Sequence, residues 1–262
     1  MSNKIGTDIK RIISDILDLN KDPVNNIYTY INDENINEIY ALIIGEENTP
    51  YYGGYYIIKL NFNNKYPFVP PKGTFCTTDG NIRFNPNLYE NGYICLSILG
   101  TWSGPSWSSI MTTKSILLSI QSLLNDNPIT NEPGYDNVKL TDKKSINYNT
   151  CLEYHNFKFS ILEMLKNPKK FIFFHDIMKD NFLKNYDNYL TKLLLLEYKF
   201  RNKEKSIICP IYRKTSIKNI DYESLIEDFK ILKKKIDNNE NIITEKVKSN
   251  ISNKKKSTNV VI

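Results

Sequence analysis

Cysteine is scarce: 262 residues hold four, Cys76, Cys95, Cys151 and Cys209, with no CxxC pair among them. Zinc fingers need close-set thiolate or imidazole ligands, and disulfide scaffolds need denser cysteines in a shorter chain, so neither organises this protein and no metal is expected. Histidine is scarcer still, with His155 and His175 alone. Long apolar runs are missing too. The longest aliphatic run is Leu193 to Leu196, far short of the roughly 20 residues that cross a bilayer. No apolar segment with a small-residue cleavage site opens the sequence. The expectation is an intracellular, reducing setting, cytoplasmic with nuclear access left open, where a free thiol stays reactive and no membrane is involved.

Charge of one sign is also in short supply, since 35 basic residues against 29 acidic ones leave a net charge of +6. Part of it is local. Residues 240–262 carry five lysines against Glu240 and Glu245, which reads as a solvated, disordered tail rather than a nucleic-acid arm.

What the chain does have is periodicity. Ile9, Ile12, Ile13, Ile16 and Leu19 share one helical face ending before Pro23. Strand character follows near 27–31, 39–44, 55–62 and 73–77, with the first three stretches joined by Asn/Asp/Glu-rich or Gly-Gly turns. Connections this short predict an antiparallel meander. "YPFVPP", residues 66–71, reads as an extended polyproline-like crossing, because proline removes a donor and pushes its predecessor out of the helical region. Helical stripes then run through Ile116, Leu117, Ile120, Leu123 and Leu124; through residues 143–166; through Met178, Phe182, Tyr186, Tyr189 and Leu193; and through Tyr222, Leu225, Ile226, Phe229, Leu232 and Ile236. The class is α+β, with an N-terminal helix, a four-stranded antiparallel meander and C-terminal helices. We expect a catalytic core over 1–168, a helical extension over 169–239 and the basic tail over 240–262.

One cysteine sits in distinctive company. "FNPNLYENGYICLSILGTW", residues 84–102, places Cys95 after an Asn-Pro-Asn and an Asn-Gly turn. A buried thiol among turn-forming residues is the plain reading. A Cys/His hydrolase is a second, but it needs an imidazole at the thiol. His155 falls on an apolar helical stripe and reads as a core residue, and His175 before a helix reads as a surface or capping residue. A third reading fits thioester exchange. An acyl group that arrives already activated needs positioning more than a strong base. Transfer to an amine then needs a donor for the tetrahedral oxygen, for which Asn87 beside Pro86 is the candidate, and a carboxylate for the amine, for which Glu132 in "NPITNEPGY" is the candidate.

Taken together, these segments resemble the ubiquitin-conjugating enzyme family. "RIISDILDLNKDP" is similar to its first helix, and "TPYYGGYYIIKLNFNNKYPFVPP" to its third strand and proline crossing. "FNPNLYENGYICLSIL" is similar to its His-Pro-Asn segment, with the cysteine eight residues after the Asn. The resemblance covers residues 5 to about 166. The two tryptophans Trp102 and Trp107, the "NEPGYD" turn and "IDYESLIEDFKILKKKI" resemble the C-terminally extended Z-type members.

The resemblance implies that fold and an acyltransferase with a thioester intermediate. Cys95 would be the thioester nucleophile, Asn87 the oxyanion donor or loop brace, and Glu132 the group orienting the incoming lysine. Phe68, Ser108, Ser109 and Ile110 would meet a ligase, and Lys10 and Arg11 an activating enzyme. Implied partners are ubiquitin or a ubiquitin-like modifier, an activating enzyme, a ligase and protein substrates. No cofactor is implied. Asn85 stands where the family usually has histidine, which bears on loop geometry more than on reactivity. The rival is an inactive scaffold of the same fold that binds ubiquitin or ligases; such variants usually lack the cysteine, which this chain keeps.

Overall fold

The computed structural model describes residues 7–32, 34–202 and 205–238, and the basic tail expected over 240–262 lies outside them. Helix α1 (Thr7–Lys21) ends as its sequence predicts, just short of Pro23, and buries Ile12, Ile16 and Leu19. Four strands follow: β1 (Ile27–Asn32), β2 (Asn35–Ile44), β3 (Tyr55–Asn61) and β4 (Lys72–Phe75). They pair antiparallel in the order β1-β2-β3-β4. The meander is the one the short connections predict.

In β3, Tyr55, Tyr56, Ile57 and Ile58 are all buried. Successive side chains of a strand point to opposite faces, so an unbroken buried run means that both faces of the sheet are covered. The tyrosine hydroxyls name the covers. Tyr55 donates to the Met178 carbonyl at 2.7 Å, and Tyr56 donates to Asn156 Oδ1 at 2.6 Å.

The "YPFVPP" segment departs from the expected extended crossing. Residues 64–68 form a turn around a cis Tyr66–Pro67 bond, and extended chain resumes at Pro70. The reason lies in the backbone. The Lys65 carbonyl accepts the N–H groups of Phe68 and Val69 at 2.8 and 3.2 Å, bonds that an extended chain cannot make. Asp15 knots this turn to its surroundings. Its buried carboxylate accepts from Arg11 on α1, from the Tyr66 hydroxyl and from the Thr113 backbone N–H.

Helix α2 (Thr113–Leu123) opens on a reciprocal cap between Thr112 and Ser115, which satisfies backbone donors at its first turn. Helix α3 (Lys143–His155) continues through a π-helical stretch, Asn156–Glu163, into the single turn α4 (Met164–Lys166). Asn156 heads that stretch and, besides holding Tyr56, donates to the Tyr52 carbonyl at 2.9 Å.

Beyond it lie α5 (His175–Phe200) and α6 (Tyr222–Asp237). Phe229 of α6 is fully buried against Phe157, Phe182 and Tyr189. Buried aromatics of this size are each worth about 1.5–3 kcal/mol. That packing seats α5 and α6 on the rest of the protein. His175, expected as a surface or capping residue, is buried at 6% exposure as the first residue of α5, beside the fully buried Phe174 and Leu165. Burial depresses its pKa, so the ring stays neutral.

The Gly53-Gly54 turn between β2 and β3 also receives this packing. Gly53 adopts φ +69°, and a Cβ there would stand 2.2 Å from the Tyr189 hydroxyl. A Cβ on Gly54 would stand 1.8 Å from Asn156 Oδ1.

Candidate active site

The loop that carries Cys95 is pinned from within. Asn85 is fully buried and uses its whole amide. Nδ2 donates to the Tyr51 hydroxyl at 3.0 Å and to the Leu123 carbonyl at 2.8 Å, while Oδ1 accepts the Asn87 N–H at 3.0 Å. One side chain thus ties the β2–β3 connection, the end of α2 and the Asn-Pro-Asn turn together. All three of its bonds go to groups that shape the loop, and none goes to the thiol.

Asn87 and Cys95 are then paired twice. The Cys95 N–H donates to the Asn87 carbonyl at 2.8 Å, and Asn87 Nδ2 donates back to the Cys95 carbonyl at 2.7 Å. A primary amide nitrogen carries two N–H groups, so one remains beyond the brace.

Thr101 closes the other side. Its hydroxyl donates to the Ile94 carbonyl at 2.7 Å and accepts the Leu96 N–H at 2.8 Å, bracketing the cysteine. Its carbonyl accepts the Cys95 thiol at 3.6 Å and the Tyr93 hydroxyl at 3.1 Å. Cys95 is recessed at 6% exposure. Burial pushes its thiol pKa up; Arg83 pulls it down and Glu132 adds to the rise. The charged groups acting on the thiol are therefore a guanidinium and a carboxylate. His155 is half-buried rather than in the core, and its ring bonds the Thr215 carbonyl at 2.9 Å, away from the thiol, which leaves the hydrolase reading without its base.

Arg83 lies between two rings, 3.6 Å from the centre of Tyr89 and 4.2 Å from that of Tyr212, and donates to the Pro86 carbonyl at 2.6 Å. Glu132, in the turn after Pro128–Asn131, is half-buried, and its Oε2 accepts the Tyr212 hydroxyl. Sequence reasoning found Glu132 but missed Arg83, Thr101 and Tyr212. Arg83 had a local signal, a cation two residues before Asn85. Tyr212 had none, because it reaches Glu132 from 80 residues away.

The residues expected to meet a ligase fall on two loops joined by Trp107, whose indole N–H donates to the Pro67 carbonyl at 2.6 Å. Phe68 is 82% exposed and Ile110 85% exposed, a bare apolar side chain on each loop. Ser108 is exposed and Ser109 half-buried. Lys10 is exposed on α1, whereas Arg11 is engaged internally. Besides Asp15, the Arg11 guanidinium holds the carbonyls of Ser109 and Met111 at 2.9 and 2.7 Å, so it braces the Ile110 loop. Among the described residues no group of three or more His, Cys, Asp or Glu side chains is arranged to hold a metal ion.

The family model described as ubiquitin-conjugating enzyme matches residues 11–156. Ubiquitin-conjugating enzyme E2 Z of Xenopus tropicalis is 33% identical over 233 residues, covering 87% of this chain and 72% of that protein. The Danio rerio and Homo sapiens proteins of the same name are each 38% identical, over 186 and 184 residues, covering 69% and 68% of this chain. The chain spans about half the length of those two, 56% and 51%. With more than half its length inside the family model, this chain belongs to the ubiquitin-conjugating enzyme family, transferases that act through a thioester intermediate.

Proposed function

We propose that Cys95 accepts ubiquitin or a ubiquitin-like modifier from an activating enzyme and passes it to a lysine of a substrate or to a ligase cysteine. Ubiquitin, an activating enzyme and a ligase are the partner classes that family membership implies in general. The observation that carries the reading is the double pairing of Asn87 with Cys95, with Arg83 and Glu132 as the charged groups that act on the thiol.

The chemistry balances without a cofactor. In the first step the Cys95 sulfur attacks the carbonyl carbon of the incoming thioester. A new S–C bond forms, and the activating enzyme's cysteine leaves with the electrons of the old one. One thioester replaces another, so the step is close to isoenergetic and needs placement rather than acid or base strength. In the second step the lysine nitrogen attacks the same carbon. The C–N bond forms, the oxygen becomes an oxyanion, and collapse expels the Cys95 thiolate, which recovers a proton lost by the amine. Asn87 has an N–H beyond the brace to offer the oxyanion, and Glu132 is the carboxylate that orients the amine.

Phe68 and Ile110 form the ligase-facing surface in this reading, with Ser108 and Ser109 between them in the second loop. Lys10 faces the activating enzyme, with Arg11 acting through the loop it braces. Residues 1–168 act as the catalytic core and 169–239 as its extension, in an intracellular setting.

With an activating enzyme, ATP and ubiquitin, the wild-type chain forms a reductant-sensitive adduct and Cys95→Ala forms none. An adduct that survives the substitution overturns the assignment.

A further inference from the structure

The segment between α5 and α6 folds back on itself. Ile207 and Ile217 exchange both backbone hydrogen bonds at 2.9 Å, so residues 208–216 project as a closed loop. Tyr212 sits within it and is held at several points. Its N–H donates to Cys209 Sγ at 3.3 Å, and its carbonyl accepts the Thr215 N–H at 2.9 Å. Its ring lies over the Arg83 guanidinium on one side and meets Tyr148 edge-on, with centroids 6.2 Å apart. A ring so confined can deliver its hydroxyl to one place. That place is Glu132 Oε2.

Glu132 is held in backbone as well. Its N–H donates to the Ile129 carbonyl at 3.1 Å and its carbonyl accepts the Tyr135 N–H at 3.0 Å. Without the phenol, the carboxylate on its flexible stem would sample several rotamers, and ordering it at each turnover would cost free energy. With the phenol on Oε2, the carboxylate is fixed and Oε1 is the oxygen left to meet an amine. Burial, with Glu132's charge added, raises the phenol pKa, so the hydroxyl keeps its proton and remains a donor.

We propose that Tyr212 is a positioning residue for lysine acceptors: through its hydroxyl, the extension fixes the Glu132 carboxylate, so that the amine-accepting half of the site is completed by residues outside the family-matched stretch. The proposal rests on the conjugating reading above. It assigns the extension a part in acceptor choice, because a thiol acceptor makes no demand on Glu132 while an amine does.

The test uses the full chain, charged with ubiquitin by an activating enzyme and ATP, then chased in single turnover with free lysine or free cysteine. Tyr212→Phe keeps the ring against Arg83 and removes only the hydroxyl. Charging and discharge onto cysteine should stay within about twofold of wild type, while discharge onto lysine slows about three- to tenfold, the worth of one hydrogen bond. In a Glu132→Gln background the same substitution should add nothing further, since both act through one carboxylate. Equal losses with lysine and cysteine would make Tyr212 a structural pin and overturn the proposal, as would unchanged lysine discharge or losses that multiply with Glu132→Gln. Failure of wild-type Cys95 to charge at all would overturn the conjugating reading, and this role with it. Normal wild-type charging with an indifferent Tyr212→Phe would overturn this role alone.

Discussion

Replacing Asn85 by alanine separates structure from chemistry at the position where the family usually has histidine. The side chain makes three bonds, and their losses are unequal. The Tyr51 hydroxyl still donates to the Phe84 carbonyl at 2.8 Å, and the Leu123 carbonyl still accepts Asn131 Nδ2 at 3.3 Å. The Asn87 N–H has its bond to Asn85 Oδ1 taken away. One stranded donor costs about 1–3 kcal/mol, and the remaining bonds and the small void add about 1 kcal/mol. The sum is about 2–4 kcal/mol, a large share of the roughly 5–15 kcal/mol that holds a domain folded. For a chain of this size that is a melting shift of about 5–15 °C. Urea unfolding should show the loss, and charging of Cys95, assayed well below the new transition, should persist within a few-fold. A variant as stable as wild type that no longer charges would refute the reasoning, because Asn85 would then be acting on the reaction and not on the loop.

Three further expectations concern the thiol and its neighbours. Asn87→Ala removes the donor assigned to the oxyanion and should slow discharge onto free lysine by roughly 10²-fold while leaving charging largely intact; equal losses in both steps would reduce Asn87 to a brace of the Cys95 carbonyl. Because burial raises the Cys95 pKa above a free thiol's ordinary value of about 8.5, the reactive thiolate is a minor species at neutral pH. Alkylation of Cys95 by iodoacetamide, followed by peptide mass, should therefore climb about tenfold per pH unit from pH 6 to 8.5. Arg83→Met should lower the rate at each of those pH values, since the cation favours the thiolate; a plateau below pH 7.5 would contradict the assignment.

The sequence was most legible where cause and effect lie close together along the chain. α1, α2, α3 and the two long helices of the extension follow from apolar spacing, and the meander follows from short turns. The Cys95 loop was legible for the same reason, since Asn87 meets Cys95 across eight residues. Long-range bonds were not. Arg11 reads as a free surface cation until the Ser109 and Met111 carbonyls, about 100 residues on, are seen to occupy it. The proline crossing misled because prolines constrain φ without saying whether Lys65 will accept two bonds from the turn. His175 misled because its burial is supplied by neighbours such as Leu165, which no local pattern announces. Arg83 and Tyr212 are the functional counterpart. Each is ordinary in its own window, and together with Glu132 they form a layered contact only when three distant segments meet.

The Gly53-Gly54 turn is the point at which α5 reaches the β2–β3 hairpin. Tyr189 is fully buried among Phe157, Phe182 and Phe229, so it has no room to swing away from a methyl group placed at residue 53. A side chain there would act as a wedge under α5, loosening the helix and the loop that follows it. The bonds that brace Cys95 come from Asn87 and Thr101, but Asn85, which holds Asn87, also holds Tyr51 two residues before Gly53, so the wedge would reach the catalytic loop through that bond. Two glycines at a hairpin tip thus set how closely α5 and the π-helical stretch can approach the sheet, since two missing β-carbons are the space that the Tyr189 hydroxyl and Asn156 occupy.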